Sequence, residues 1–333
     1  MLPALVLALA LPVALTVAVS LGATSIPAGE VWSVVGRRLA GEPARPGTTD
    51  LVVWQLRVPR ALLAALVGAG LALAGTAVQA LVRNPLADPY LLGISSGASF
   101  GAVAYLVLGA GAGGLLGLGL TSAAFAGALL AFGLVWGMTA LARGGGFAPL
   151  RLVLAGVAIG QFLSGVTSYL VLRAGDAQQV QGVLFWLMGS LGGATWDDLA
   201  MPALTVAAAL LWLLARARPL NALALGDESA AGAGVRVAWL RRELFVVTSL
   251  LTAALVAVAG AIAFVGLMVP HACRLLVGGD HRRTLPLAAL GGAVLMVVVD
   301  VLCRTAVDGQ ELPAGVVTSV LGAPALLWLL GRR

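Results

Sequence analysis

Ten stretches of this chain are long enough to cross a bilayer and almost free of charge, and they leave it few folds to choose from. They fall at about 2–23, 61–82, 90–108, 115–141, 152–172, 197–215, 243–262, 263–278, 285–303 and 313–330. About 20 apolar residues in a helix match the thickness of a hydrocarbon core. Inside that core no water satisfies the backbone, so each segment must hydrogen-bond to itself as a helix. The chain is therefore expected to be an all-α integral membrane protein, a polytopic bundle of about ten transmembrane helices forming one domain over 1–333. The seventh and eighth crossings run together with Gly260 and Gly266 as punctuation, so hydropathy allows nine or ten, and Pro270 is expected to kink the eighth.

Composition excludes the alternatives. Only 10% of the residues are charged and 60% are hydrophobic, against about 25% charged in a soluble domain. All 20 basic residues are arginine. A phosphate-binding P-loop needs its lysine, so any nucleotide hydrolysis must belong to another chain. The arginines are scattered, so the net charge of +6 reads as membrane orientation and not as nucleic-acid binding. With the N-terminus inside, thirteen arginines are cytoplasmic and seven external, and an even number of crossings places both termini in the cytoplasm. The apolar run from Met1 to about Thr24 is too long and lacks the basic start of a cleaved signal, so it is read as a retained first helix.

Two stretches outside the spans are long enough to be structured. The external one covers 25–60, with Pro27 to Leu39 as a short interfacial helix carrying Trp32 at headgroup level. The internal one covers 216–242. Within it Leu220 to Val235 alternates apolar and polar residues around Gly226, which suits two short helices and a docking surface. Glycines four apart, such as Gly93, Gly97 and Gly101, or Gly156 and Gly160, allow helix backbones to approach closely in lipid.

Other patterns carry less. Gln161, Ser164 and Ser168 recur at helical spacing and share one face, as a pore wall requires, although interhelical hydrogen bonds explain them equally well. Asn84, Pro85 and Asp88 read as a tight turn, with Asn84 or Asp88 capping the next helix. His271 and Cys273 lack the second pair a metal site needs, so no metal ligand is assigned. The GAGAGG run from Gly109 to Gly114 matches GxGxxG without a βαβ unit around it and is a chance match. No nucleophile with its base and no carboxylate pair stands out, so no catalytic residue is assigned and no cofactor is expected on this chain.

The block from Leu56 to Ala102, LRVPRALLAALVGAGLALAGTAVQALVRNPLADPYLLGISSGASFGA, resembles the FecCD-type permeases of bacterial ABC importers. The likeness continues in order through FWLMGSL (Phe185 to Leu191), the 220–235 segment, FVGLMVPHACR (Phe264 to Arg274) and ELPAGVVTSVLGAPALLWLL (Glu311 to Leu330). The resemblance implies type II importer permease architecture in the bacterial cytoplasmic (inner) membrane. It implies a homodimer with a second permease copy, two ATP-binding cassette subunits holding ATP and magnesium, and an external substrate-binding protein. It further implies that Arg57, Arg60 and Arg304 meet acidic residues of that binding protein, and that Leu220, Leu223, Leu225, Gly226, Asp227 and Glu228 contact the ATPase. The translocation pathway is expected between the two copies, along the fifth and tenth crossings and the external segment before FWLMGSL, with Gln161, Ser164, Ser168 and Tyr169 facing it. Ferric siderophore is the expected cargo, with haem and cobalamin as rivals. A proton- or sodium-coupled transporter would instead need an ionisable residue near mid-membrane, for which Asp300 is the one weak candidate.

Overall fold

A computed structural model describes residues 2–22, 24–43, 45, 47–109, 119–141, 147–175, 177–307 and 309–331, the side chains of 329–331 excepted. The GAGAGG run from residue 110 onward, with Arg143, Arg332 and Arg333 of the orientation count, lies outside the described residues.

The described residues form helices joined by turns. In chain order they are α1 (Leu2–Ser20), α2 (Ala28–Leu39), α3 (Thr48–Leu51), α4 (Val58–Val82), α5 (Ile94–Ala104), α6 (Leu120–Leu141), α7 (Pro149–Leu172) and α8 (Ala177–Leu187). They continue with α9 (Ala200–Ala215), α10 (Ala217–Ala224), α11 (Asp227–Gly232), α12 (Val237–Ala259), α13 (Val265–Val277), α14 (His281–Thr305) and α15 (Ala314–Gly331). Each of the ten apolar segments has its helix. Seven helical stretches are long and apolar enough to span on their own, and α5 with its extension to Gly109, α13 and α15 are shorter apolar helices.

The seventh and eighth crossings are separate helices. The chain leaves helical geometry after Ala259 and resumes it at Val265, with Gly260 and Phe264 both at φ +68°. Gly260 is required there, because a Cβ would meet the Trp186 carbonyl oxygen at 2.5 Å. Pro270 lies inside α13, as the sequence led us to expect.

The bundle is built around α4, which begins without interruption from α3 through a π-helical turn at Val52–Arg57. Its largest contact is with α14, and α12, α13 and α9 cover its other sides. Lipid gives no hydrophobic drive to bring helices together, so close backbone contact must do so. A Cβ at Gly68 would lie 2.0 Å from the Gly292 carbonyl oxygen of α14, and one at Gly75 only 1.7 Å from that of Gly266 in α13. The glycine pairs expected from spacing serve the second layer: Gly97 and Gly101 of α5 lie against Gly127 of α6, and Gly93 against Gly156 of α7.

The 25–60 segment contains the expected short helix. α2 buries Val31 and Val34 and leaves Trp32 exposed, while Arg37 donates to Asp50 at 2.7 Å to fold the segment back on itself.

Candidate functional site

Helix polarity sorts the charged residues to two ends of the bundle. The C-terminal ends of α1 and α14 meet the N-terminal ends of α4 and α15 at one end. The 25 residues of α4, at 1.5 Å each, place its far end about 37 Å away, comparable to a bilayer. There Arg83 caps α4 in a left-handed conformation at φ 52° and lies 3.5 Å from Asp227 of α11.

At the first end the three arginines proposed for docking come together, but each is committed within the chain. Arg57 donates from Nη1 to the carbonyls of Val19 and Ser20, both at 2.9 Å, and from Nη2 to that of Thr24 at 2.6 Å. Val19 and Ser20 close α1, so the guanidinium caps the helix while sharing the Ser20 carbonyl with the Ile26 amide. Arg304 does the same from α14, reaching Ala18 and Leu21 at 2.9 and 2.8 Å. Arg60 donates from Nε to Asp300 at 2.7 Å and forks onto both oxygens of Glu311 at 2.7 and 3.0 Å. Arg57 and Arg60 are each 8% exposed. Burial in a bundle demands partners for a guanidinium, and the helix ends and two carboxylates supply them within the chain. Three arginines and the carboxylates of Asp300 and Glu311 thus form one cluster at this end.

Glu311 connects the rim to a cavity. Its Oε1 would lie 2.8 Å from a Cβ at Gly192, in the segment following FWLMGSL. A cavity of about 800 Å³ opens beside it, lined by Gln178, Gln181, Phe185, Trp186, Asp198 and Glu311 among others. α8 supplies several of these, so the segment before FWLMGSL borders this cavity.

The proposed pathway residues all lie on the outward surface of α7. Gln161, Ser164, Ser168 and Tyr169 are exposed, and the Ser168 hydroxyl donates to the Ser164 carbonyl at 3.0 Å within its own helix. Among the described residues none of the four side chains hydrogen-bonds to another helix. Gln161 also borders a second pocket, of about 410 Å³, with Asp88, Tyr90 and Ser96. Asp88 caps the turn before α5 by accepting from the Tyr90 amide at 2.8 Å. Burial pushes its carboxyl up to about 6, against the opposing effect of that hydrogen bond.

At the far end, the 216–242 segment forms the two short helices read from the sequence, α10 and α11, hinged at Gly226 with φ +118°. Two of its proposed contact residues are not available. Leu220 and Leu223 are fully buried, because α10 is amphipathic and turns that face onto α14, α4 and α9. Leu225, at 79% exposure, and Glu228 project outward. Asp227 accepts from Arg241 at 2.7 Å, which ties α11 to α12.

Several residues the sequence reading passed over join these parts. Asn221 of α10 donates to Asp280 at 2.7 Å and accepts from the His281 amide at 2.9 Å, fixing α10 to the start of α14. Gln79 of α4 donates toward the carbonyls of Ala87, Gly266 and Leu267 at 3.2 to 3.3 Å and accepts from Arg274. The Tyr90 hydroxyl donates to the Ile262 carbonyl at 2.9 Å and accepts from the Ile262 amide at 2.8 Å. A polar side chain inside an apolar run, as at Gln79, was the available signal. Among the described residues no group of three or more His, Cys, Asp or Glu side chains comes together as a metal site would require.

Comparison with known proteins gives this arrangement its context. The family model described as the FecCD transport family matches residues 9–332. A cobalamin import system permease protein, BtuC, of Halobacterium salinarum is 44% identical over 86% of this chain and 75% of its own length. The vitamin B12 import system permease protein BtuC of Salmonella typhimurium is 40% identical over 92% of this chain and 90% of its own. Among solved structures, an inward-facing conformation of a metal-chelate type ABC transporter superposes with a TM-score of 0.85 at 30% identity, covering 99% of both chains. With a family model that fits from near one terminus to the other, and a fold that supplies the helices its motifs foretold, this chain belongs to the FecCD transport family.

Proposed function

We propose that this chain is the membrane-spanning permease subunit of a binding-protein-dependent ABC importer, with a cobalamin-type metal chelate as its cargo. The observation that carries the reading is the match to two BtuC permeases along nearly the whole chain, at 44% and 40% identity. Those relatives move the cargo assignment from the ferric siderophore expected from sequence to cobalamin, with siderophore and haem as family-level options. The chain works as a multi-pass subunit of a bacterial cytoplasmic membrane, both termini inside. The arginine-rich rim then faces the binding protein, and α10 and α11 face the ATPase.

A second copy completes the passage. Gln161, Ser164, Ser168 and Tyr169 lie on an outer face of α7, where polar groups against lipid would be costly. A facing copy gives that surface a reason. At the rim, the partly exposed Arg60–Glu311 pair is the part of the arginine cluster that a docking protein can reach. On the cytoplasmic side, Leu225 and Glu228 form the ATPase contact, while Leu220 and Leu223 anchor it. ATP and magnesium bind the cassette subunits, and this chain performs no chemistry.

Ion coupling is the weaker alternative. Asp300, its one candidate, is 1% exposed and held by Arg60 at 2.7 Å and Arg304 at 3.1 Å, so it is poorly placed to load and release a cation. The test is uptake of cyanocobalamin, and separately of a ferric siderophore, by proteoliposomes containing this chain with its ATPase and binding protein. Uptake that needs ATP, stops with vanadate and persists with a protonophore is the expected result. Accumulation without the ATPase would refute the proposal.

A further inference from the structure

At the coupling-segment end a pocket of about 400 Å³ opens between the end of α9 and the start of α12. Arg216, Arg218, Arg236, Trp239 and Glu243 line it. The Arg216 guanidinium donates to Glu243 at 3.1 Å, which accounts for the single carboxylate. Arg218 and Arg236 are exposed, and among the described residues neither forms an ion pair. The concavity thus holds two uncompensated guanidinium groups. Its edge adds to the same potential: Arg236 is the N-cap of α12, makes no capping hydrogen bond, and no acidic residue occupies the first turn.

Depth narrows the choice of ligand. Arg216 closes the apolar run of α9, and the apolar part of α12 begins only at Leu244. The turns from Val237 to Glu243 rise about 10 Å, roughly the thickness of a headgroup layer. Trp239, 51% exposed, sits at that level, where indole rings favour the interface. A soluble anion would need no such depth and no ring.

We propose that this pocket binds the phosphate of an anionic phospholipid headgroup, held between Arg218 and Arg236 with Trp239 against the glycerol region. Guanidinium groups engage phosphate oxygens in pairs, and a juxtamembrane arginine contributes about 1 kcal/mol toward anionic lipid. The assignment requires that the chain spans a membrane; it does not depend on what is transported.

The test is native mass spectrometry of the purified full chain, delipidated in detergent and titrated with phosphatidylglycerol, phosphatidylcholine or inorganic phosphate. Phosphatidylglycerol is expected to bind in preference to phosphatidylcholine. Arg218→Gln with Arg236→Gln should weaken it roughly thirtyfold at about a factor of five per charge, while Arg282→Gln with Arg283→Gln, on the same side but outside the pocket, should leave it within about twofold. Equal phosphatidylglycerol binding by the first double variant would overturn the site. Displacement of the lipid by inorganic phosphate at matching concentration would overturn its lipid source. If the first double variant keeps phosphatidylglycerol but loses association with the ATPase subunit, the pocket is a protein contact and the lipid assignment is wrong.

Discussion

Arg60 and Asp300 are 240 residues apart in sequence, yet the Nε of one donates to a carboxylate oxygen of the other at 2.7 Å inside the bundle. The pair joins the two helices with the most extensive mutual contact, α4 and α14. Removing the Asp300 charge leaves Arg60 with Glu311 alone and Arg304 with backbone carbonyls, so part of the roughly 3–5 kcal/mol for an unmatched buried charge is expected. Asp300→Asn should therefore lower the thermal unfolding midpoint in detergent markedly. Glu311→Gln should do less, because that side chain is 34% exposed. Equal midpoints for the two variants would show that the buried pair carries no special weight.

Gly75→Ala places a methyl group 1.7 Å from the Gly266 carbonyl oxygen, on backbone that cannot rotate aside. Overpacking of this kind costs about 1–3 kcal/mol or more. Reduced yield of folded protein and a lower midpoint are expected, whereas Gly133→Ala, where a Cβ meets nothing within 4 Å, should be neutral or slightly stabilising.

The two leucines either side of Ala224 separate packing from docking. Leu223→Ala opens a cavity in the bundle and should cost about 2–5 kcal/mol. Leu225→Ala, on the exposed side, should leave the fold within about 0.5 kcal/mol and instead weaken co-purification of the ATPase. A Leu225→Ala variant that pulls down its ATPase at wild-type levels would remove this residue from the contact.

Asn221→Ala breaks the link between α10 and the start of α14 without touching the outward face of α10. If α14 carries motion from the coupling segment, ATP turnover in the assembled transporter should persist while cargo delivered per ATP falls several-fold. A proportional loss of both activities would indicate damage to the fold alone.

Asp88 carries a pH signature. Its folded carboxyl titrates near 6, above the usual 3.8, so folding favours the protonated form. The contribution is greatest below about pH 4 and is lost as pH rises through 6. Unfolding midpoints should therefore decline over that window in the wild type. Asp88→Asn keeps an acceptor for the Tyr90 amide, so it should flatten the profile and raise the midpoint near neutral pH.

The sequence showed which segments become apolar helices because hydropathy and length decide that locally. Gly226 likewise announced the hinge of the two short helices. It did not show which side of α10 faces inward: residues three apart such as Leu220 and Leu223 share a face, but the same spacing suits a partner's groove as well as the chain's own core. Nor did it show that Arg57 and Arg304 cap α1 or that Arg60 finds Asp300. Those partners lie far along the chain, and no local pattern encodes where an ended helix leaves its carbonyls.

The hydroxyl of Tyr90 serves as both donor and acceptor to one peptide unit at Ile262, where the chain has stopped being a helix. At that point the backbone borrows its satisfaction from a movable phenol. Any rearrangement that draws the Pro89–Leu92 turn away from the break must let solvent or another peptide take the phenol's place, so access of water to Ile262 and displacement of that turn are one event.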